Sequence, residues 1–393
     1  MDMKHDMYIM DVVRKEVTRS LGTLQPHIIN DMRESIDRIL GTDTENWKTV
    51  PLYGTFQEIL FKSSNRMFVG DPLCENKIFQ RSVALFADFL GAGAVFVGEY
   101  LPLVLKPIFG YALAPPIYLA QTVCFRYLVP EIKRRMVNIR QQKSDPNFEW
   151  EQPKDMLMWI VIAAMNRNDP TADRPEAIAQ GLLFLMLGGI QTSIFTATNV
   201  FLDLLSSPPS SNYYLRLREE IESVFTSDDW ESQKAIAKLV CTDSTIRESL
   251  RMSPILTRTG MREVVKKGGV QFPNGQTVPK GAWLAMPAVA IHYDEKFYPE
   301  PETYKPFRFV PDAPKAAVDT ALLEVEDSPK ESQYKVLSTS LSSASPTFLG
   351  FGYGRHSWSS VRFQSVDDSA HTKAKDDGTV NIRACATTII KGG

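Results

Sequence analysis

The sequence contains few cysteines, no marked excess of charge and no targeting signal. Its 393 residues include four cysteines, none spaced from another as paired metal ligands are: Cys74, Cys124, Cys241 and Cys385. This excludes a disulfide-stapled secreted fold and predicts buried thiols in an intracellular protein. The net charge of −2 gives no basic surface of the kind that binds nucleic acid, so we expect no nucleic-acid partner.

The N-terminal and most apolar stretches also lack the features of a signal peptide or a membrane anchor. The first ten residues carry charged and ionisable side chains where a signal peptide would have an apolar core. The most apolar stretch, Phe89 to Pro107, is interrupted by Glu99 and Pro102, whereas a spanning helix needs about 20 mostly apolar residues. We therefore expect no anchor in this chain. The Phe, Leu and Val content of the stretch still allows contact with a membrane surface.

What the sequence does contain is a series of helical patterns. Apolar side chains make up 44% of the chain, which is enough for a large core. We interpret residues 5–42 as two helices separated at Gly22 and Pro26, and the proline-rich stretch 102–116 as a loop. The other stretches with apolar residues at helical spacing are 52–68, 76–100, 113–142, 155–165, 175–205, 212–225 and 235–252.

Short β-type runs follow the helices. Residues 258–290 are punctuated by glycine pairs, and Asn274-Gly275 is a strong hairpin signal. Residues 311–345 are polar and predict a surface meander. With no internal repeat and no long linker, the sequence predicts one mainly α-helical domain with a small β-sheet over residues 1–357. Residues 358–393 show no sustained helical period and are predicted to be an atypical, poorly ordered tail.

The long apolar stretch carries Leu187-Gly-Gly-Ile-Gln-Thr-Ser193. Two adjacent glycines each cost a helix interior about 1 kcal/mol relative to alanine, so we expect a kink or a close approach in return. Thr192 and Ser193 can bond to a carbonyl one turn back. Tight packing between helices through small residues is an equally good interpretation of this motif by itself.

Two further motifs lie towards the C-terminus. Glu248 and Arg251 are three residues apart and share a helix face, where an exposed pair would stabilise by only about 0.2–0.5 kcal/mol. A segment rich in proline and aromatic residues follows and contains Arg308. Residues 346–358 then read Pro-Thr-Phe-Leu-Gly-Phe-Gly-Tyr-Gly-Arg-His-Ser-Trp, with glycines that let backbone approach a flat ligand closely.

In this order the motifs resemble those of the cytochrome P-450 family of haem-thiolate monooxygenases, over about residues 11–357. The family's ligand loop has Phe, Gly, a basic residue and the iron-binding Cys at fixed spacing. Phe351, Gly354 and His356 occupy the first three places, and Trp358 stands at the cysteine position. The indole N–H is a donor only, so no metal ligand is assigned. Cys385 is the one thiol beyond the loop and lies in a segment without a recognisable pattern.

The resemblance implies roles for individual residues. Thr192, with Ser193 and Gln191, would be the catalytic residues of the oxygen-binding helix, and Gln191 replaces an acid that many members carry there. Glu248, Arg251 and Arg308 would form a buried salt-bridged triad behind the haem. The expected cofactor-binding residues are Phe351, Gly354, Arg355, His356, Arg258 and Arg14, and Ile255, Leu256 and Thr257 would line the substrate cavity.

The resemblance also implies a fold and a function. We expect a fold of this family that is incomplete at both ends: an anchor, a first helix and most of a sheet would precede residue 1. The similarity is closest to fungal members that oxidise lipophilic metabolites, with haem as cofactor, O₂ as oxidant and electrons from NADPH-cytochrome P-450 reductase. Such members are usually anchored to the endoplasmic reticulum. The alternative is a catalytically inactive relative or a truncated gene product that lacks the thiolate ligand.

Overall fold

Helices form most of the part of the protein that the structure describes, and its strands are short and antiparallel. The computed structural model describes residues 8–43, 45–46, 48–102, 104–167, 169, 173–225, 233–236, 238–310 and 343–353. The chain divides into two compact units, residues 1–198 and 199–393. The mainly α-helical fold class with a small sheet is confirmed. The expectation of a single domain over residues 1–357 stays a prediction, and the expected tail lies outside the described residues.

The first unit begins with one helical run. Helix α1, Tyr8–Val12, continues through a π-helical turn, Val13–Val17, into α2, Thr18–Leu40. The predicted division at Gly22 and Pro26 is therefore wrong, because Pro26 lies inside α2. A proline removes one backbone hydrogen bond and crowds the carbonyl four residues earlier. The packing of α2 against the next helix, Leu52–Val69, outweighs that local cost.

The predicted proline-rich loop is shorter than expected. Helix α3 spans Leu52–Val69, α4 spans Lys77–Val95 and ends in a π-helical turn, and α5 runs from Lys106 to Ser144. Pro102 lies in the connection, as predicted, but Pro115 and Pro116 lie inside α5. Most side chains around them are exposed, so water can bond to the carbonyls that the prolines leave unpaired.

The core of this unit lies around α6, Met156–Asn166, and α7, Pro175–Met186. Most of their apolar side chains are buried, as expected for helices that are apolar on more than one face. Asp155 caps α6 by accepting a bond from the Met158 backbone N–H at 2.8 Å. The fully buried Arg135 of α5 donates to both oxygens of the same carboxylate, which ties α5 to α6.

Beyond α7 the helix continues through a π-helical turn, Leu187–Gln191, into α8, Thr192–Ser206. By length and composition, Pro175–Ser206 and Lys106–Ser144 could each cross a membrane. Over half of the apolar window in the first is buried inside the protein, as in the core helix of a globular fold. In the second, 11% is buried.

The second unit contains the remaining elements. They are α9, Tyr213–Val224; α10, Gln233–Ile236; α11, Val240–Met252; β1, Thr259–Glu263; β2, Val270–Gln271; β3, Thr277–Val278; β4, Trp283–Met286; and α12, Ala288–His292. The predicted single helix over 235–252 is thus two helices. The Glu220 carboxylate of α9 accepts bonds from the backbone N–H groups of Cys241 and Thr242, which satisfies free donors at the start of α11.

The strands form two small antiparallel sheets. Strand β1 pairs with β4, with Arg262 opposite Leu284, and β2 pairs with β3, with Val270 opposite Val278. The predicted hairpin turn at Asn274-Gly275 is confirmed. Gly275 has φ +86°, which glycine adopts without steric cost.

Candidate functional site

The glycine pair of the long helix lies in its π-helical turn. Such turns occur often at functional sites. A Cβ on Gly189 would lie 2.9 Å from Cζ of Phe68, so at this position the small residue allows a close approach. Thr192 Oγ1 donates to the Gly188 carbonyl at 2.6 Å and Ser193 Oγ to the Gly189 carbonyl at 2.7 Å. The sequence motif therefore combines both expected consequences, a helix irregularity and tight packing.

Gln191 ends the π-helical turn and bridges two other helices. Its Nε2 donates to the Tyr53 hydroxyl at 2.6 Å and to Asp88 Oδ1 at 3.2 Å. Burial raises the pKa of Asp88, and the bond from Gln191 opposes that rise. The pKa of Tyr53 is also raised, first by burial and then by the nearby charge of Asp88. Asp88, an ionisable acid on α4, thus lies next to the Gln191 amide.

In the second unit the structure brings Glu248, Arg251 and Arg308 together. Arg251 donates to both Glu248 oxygens, with Nε at 2.8 Å and Nη2 at 2.9 Å. Arg308 Nε lies 3.0 Å from each of the same oxygens. The side chains of all three are almost completely buried. One carboxylate therefore balances two guanidinium groups through charge-assisted hydrogen bonds.

His292 connects this cluster to the loop before the predicted cofactor-binding segment. Arg251 Nη1 donates to the His292 carbonyl at 2.7 Å. The Leu349 backbone N–H donates to His292 Nε2 at 2.8 Å, so Nδ1 carries the proton and donates to the Arg251 carbonyl at 3.0 Å. The ring stacks on Phe348, with centroids 5.4 Å apart. This arrangement requires a neutral imidazole, and burial lowers the pKa of His292 to about 4.

Arg247 supports the same loop from α11. Its guanidinium carbon lies 3.9 Å from the ring centroid of Phe348 and 4.8 Å from that of Phe309. Its Nη1 also donates to the backbone carbonyl and hydroxyl of Ser343. Stacking between two aromatic faces desolvates the guanidinium while cation–π attraction stabilises it.

The other predicted site residues are placed as follows. Phe351 is half-buried, and Gly352, with φ +77°, turns the chain after it. Arg258 and the predicted cavity residues Ile255, Leu256 and Thr257 are exposed between α11 and β1. The described residues do not include Gly354, Arg355, His356, Trp358 or the side chain of Arg14. The resemblance also implies that Thr192 lies near this loop, and that placement stays a prediction.

Four residues of the described site were not predicted from the sequence: His292, Arg247, Asp88 and Tyr53. A histidine followed by an aromatic and proline-rich segment gave a weak signal for His292. No local pattern marks Asp88 or Tyr53, because their relation to Gln191 depends on how three helices pack.

Comparisons with known proteins show which family the chain is similar to. The profile of the Cytochrome P-450 family matches residues 14–357. The chain is 31% identical over 369 residues to cytochrome P-450 monooxygenase polB of Polytolypa hystricis, covering 92% of this chain and 68% of that protein. It is 32% identical to cytochrome P-450 monooxygenase efuH of Hormonema carpetanum, covering 89% of this chain and 60% of that protein.

A solved structure shares the fold. The zebra fish cytochrome P-450 solved with progesterone superposes with a TM-score of 0.57 at 14% identity, covering 89% of this chain and 69% of that chain. The protein therefore belongs to the cytochrome P-450 family. It spans about two thirds of the length of the curated relatives that it matches.

Haem is the cofactor of this family, and the chain fits it only in part. The buried support of the ligand loop fits: His292 fixes Leu349, and Arg247 fixes Ser343 and Phe348. On the predicted loop register the donor set does not, because Trp358 would stand at the ligand position and an indole has no lone pair to give to iron. On that register the chain provides no thiolate to haem iron at residue 358.

The triad should contribute strongly to stability. We expect Glu248→Gln to lower the free energy of unfolding by about 3–5 kcal/mol, because two buried guanidinium groups lose their shared carboxylate. The control is Glu222→Gln, which breaks the exposed 2.7 Å pair with Arg218 and should cost about 0–1 kcal/mol. Chemical denaturation measures both. Equal losses in the two variants would contradict a special role for the triad.

His292 should make stability depend on pH. Its folded-state pKa of about 4 lies below its ordinary value of 6.5, so between these values the unfolded chain binds more protons. The contribution of His292 to the free energy of unfolding should be fully present above pH 6.5. It should fall by about 3 kcal/mol as the pH drops to 4.

Unfolding free energies across that pH range test this expectation. His292→Gln should flatten the slope, whereas replacement of the exposed His27 by Gln should leave it unchanged. A slope that persists in His292→Gln would assign the pH dependence to another group.

Proposed function

We propose that residues 1–357 are the scaffold of a fungal haem-dependent monooxygenase. It would hydroxylate a lipophilic small molecule in secondary-metabolite biosynthesis, with O₂ and with electrons that NADPH supplies through a separate cytochrome P-450 reductase. The observation that supports this most is the chain of contacts from the Glu248 triad through His292 to Leu349, which holds the start of the ligand loop. This buried network fixes the backbone that leads into the loop.

The polar residues of the long helix fit the same proposal. When bound, haem supplies the activation of O₂. Thr192 and Ser193 donate their hydroxyl protons to helix carbonyls, so their oxygens keep lone pairs that accept bonds from water. Gln191, held by its bonds to Tyr53 and Asp88, adds a fixed amide beside them. We propose that these three residues order water beside this part of the helix.

A second candidate is a non-catalytic member of the family. Trp358 favours it, because thiolate ligation provides the electron density that promotes O–O cleavage. The two candidates differ in what residues 358–393 must do. An active enzyme needs a cysteine and the helix that follows it in the family, whereas an inactive relative needs neither.

Spectroscopy of the ferrous–CO complex tests these candidates. The chain as written, supplied with haem, should not give the red-shifted Soret band of a thiolate complex. Trp358→Cys alone should recover little, because Ser360 stands where the family has glycine. Replacing residues 358–393 by the matching segment of polB should restore both the band and reductase-dependent NADPH consumption with a lipophilic substrate.

Two outcomes would contradict the proposal. A folded chimera that binds haem without the thiolate band would show that residues 1–357 are not a functional scaffold. A thiolate band from the unmodified chain would indicate a different ligand. In that case Cys385→Ser should abolish it, because Cys385 is the one thiol beyond the loop.

We propose that the protein also contacts a membrane surface, as fungal members of the family usually do. An exposed apolar surface extends from the end of α4 into α5. Its members are Phe96, Tyr100, Val104, Leu105, Ile108, Phe109, Tyr111, Tyr118 and Leu119. Aromatic and aliphatic side chains together suit the boundary between lipid headgroups and acyl chains.

Flotation with neutral phosphatidylcholine vesicles measures this contact. The double variant Val104→Asp, Ile108→Asp places two charges where side chains are 81% and 63% exposed, and should reduce the bound fraction at least about fivefold. The control is Leu205→Asp, at an apolar side chain elsewhere that is 74% exposed. Equal losses in the two variants would show that any exposed apolar residue contributes, and would reject this surface.

A further inference from the structure

A polar cluster on an apolar face of residues 1–198 has the chemistry of a ligand site. The cluster consists of Asp88, Gln191 and Tyr53. We propose that it recognises the protonated amine of a lipophilic ligand, with Asp88 as the acceptor. The inference rests on the proposed function only for the expectation that the ligand is a lipophilic small molecule.

Gln191 holds the cluster together. Its side chain is only 8% exposed, yet Oε1 has no hydrogen-bond partner in the described part of the chain. Its Nε2 donates to Asp88 and to Tyr53. A buried amide that leaves its own acceptor unsatisfied costs stability, typically about 1–3 kcal/mol. The unsatisfied acceptor lies on the same amide that holds Asp88 and Tyr53 in place.

The charge of Asp88 is oriented but not neutralised. A neutral amide holds Oδ1, whereas a lysine or arginine there would have formed an ion pair. Among the described residues, no cation contributes to the pKa of Asp88; burial raises it and Gln191 lowers it. The carboxylate itself remains exposed to solvent. An oriented, partly desolvated carboxylate without a cation attracts a ligand cation more strongly than a fully hydrated one does.

Apolar side chains accompany the cluster. Leu85 and Phe89 are exposed on α4 four residues apart, so they share a face of the helix, and Leu85 lies three residues before Asp88. Phe195 lies one helical turn beyond Gln191, is exposed, and contacts the Tyr53 ring with centroids 5.8 Å apart. A hydrocarbon body on these side chains would place a polar end group beside Asp88.

The donor and acceptor chemistry selects the end group. Asp88 accepts hydrogen bonds and carries negative charge, so it repels carboxylate and phosphate. An alcohol can donate one neutral hydrogen bond, whereas an ammonium group donates a charge-assisted one of roughly twice the strength. The amine preference should be present above the raised pKa of Asp88 and should disappear as the pH falls through it.

Calorimetric titration of the full chain with decylamine and decanol tests the proposal, since the two probes share a hydrocarbon body. At neutral pH, wild-type protein should bind decylamine at least about tenfold more tightly than decanol. Asp88→Asn should remove this preference, and Asp88→Glu should retain most of it. The control Asp37→Asn, at an exposed acid of α2, should leave it unchanged.

Three outcomes would overturn the proposal: equal affinity of the wild type for both probes, no binding of either, or an amine preference that persists in Asp88→Asn. Circular dichroism establishes that each variant is folded, and Asp88→Glu preserves the charge if Asp88→Asn is unstable. The titration uses no haem, reductase or turnover. A failed ferrous–CO spectrum therefore leaves the amine preference intact, and a failed titration leaves the monooxygenase proposal intact.

Discussion

The second unit depends on how one buried carboxylate, Glu248, is satisfied. A lone buried charge would cost several kcal/mol, and two guanidinium groups around it would carry the same penalty without it. Arg251 and Arg308 share its two oxygens, and Arg308 also donates to the backbone carbonyls of Pro299, Glu300 and Thr303. The cluster therefore fixes α11 and an irregular segment that contains few regular hydrogen bonds of its own.

The same cluster extends to the loop through a neutral histidine. Arg251 orients His292, and His292 accepts from Leu349, so each group is positioned by the one before it. This support is intact, whereas tryptophan is predicted at the ligand position. The family therefore has two separate requirements, one for its scaffold and one for iron binding. The scaffold depends on buried charge balance within residues 248–349, whereas iron binding depends on one thiol that follows it.

Much of this could be predicted from the sequence where neighbours in the chain determine the structure. The spacing of Glu248 and Arg251 placed both on one helix face, and Asn274-Gly275 predicted the hairpin because glycine accepts positive φ. The glycine pair at 188–189 predicted an irregular helix. These features depend on local sterics and periodicity, and the order of motifs was sufficient to indicate the family.

Other features were decided by tertiary structure. Pro26, Pro115 and Pro116 lie inside helices, because packing or hydration compensates for the lost hydrogen bonds. The partners of Gln191 come from α3 and α4, 138 and 103 residues away along the chain. The sequence by itself thus indicated most of the helices and the Asn274-Gly275 turn, and the resemblance of its motifs indicated the members of the triad. The tertiary structure decided which buried polar groups meet, because an unpaired buried donor or charge is too costly to leave and only the packed helices bring its partner within reach.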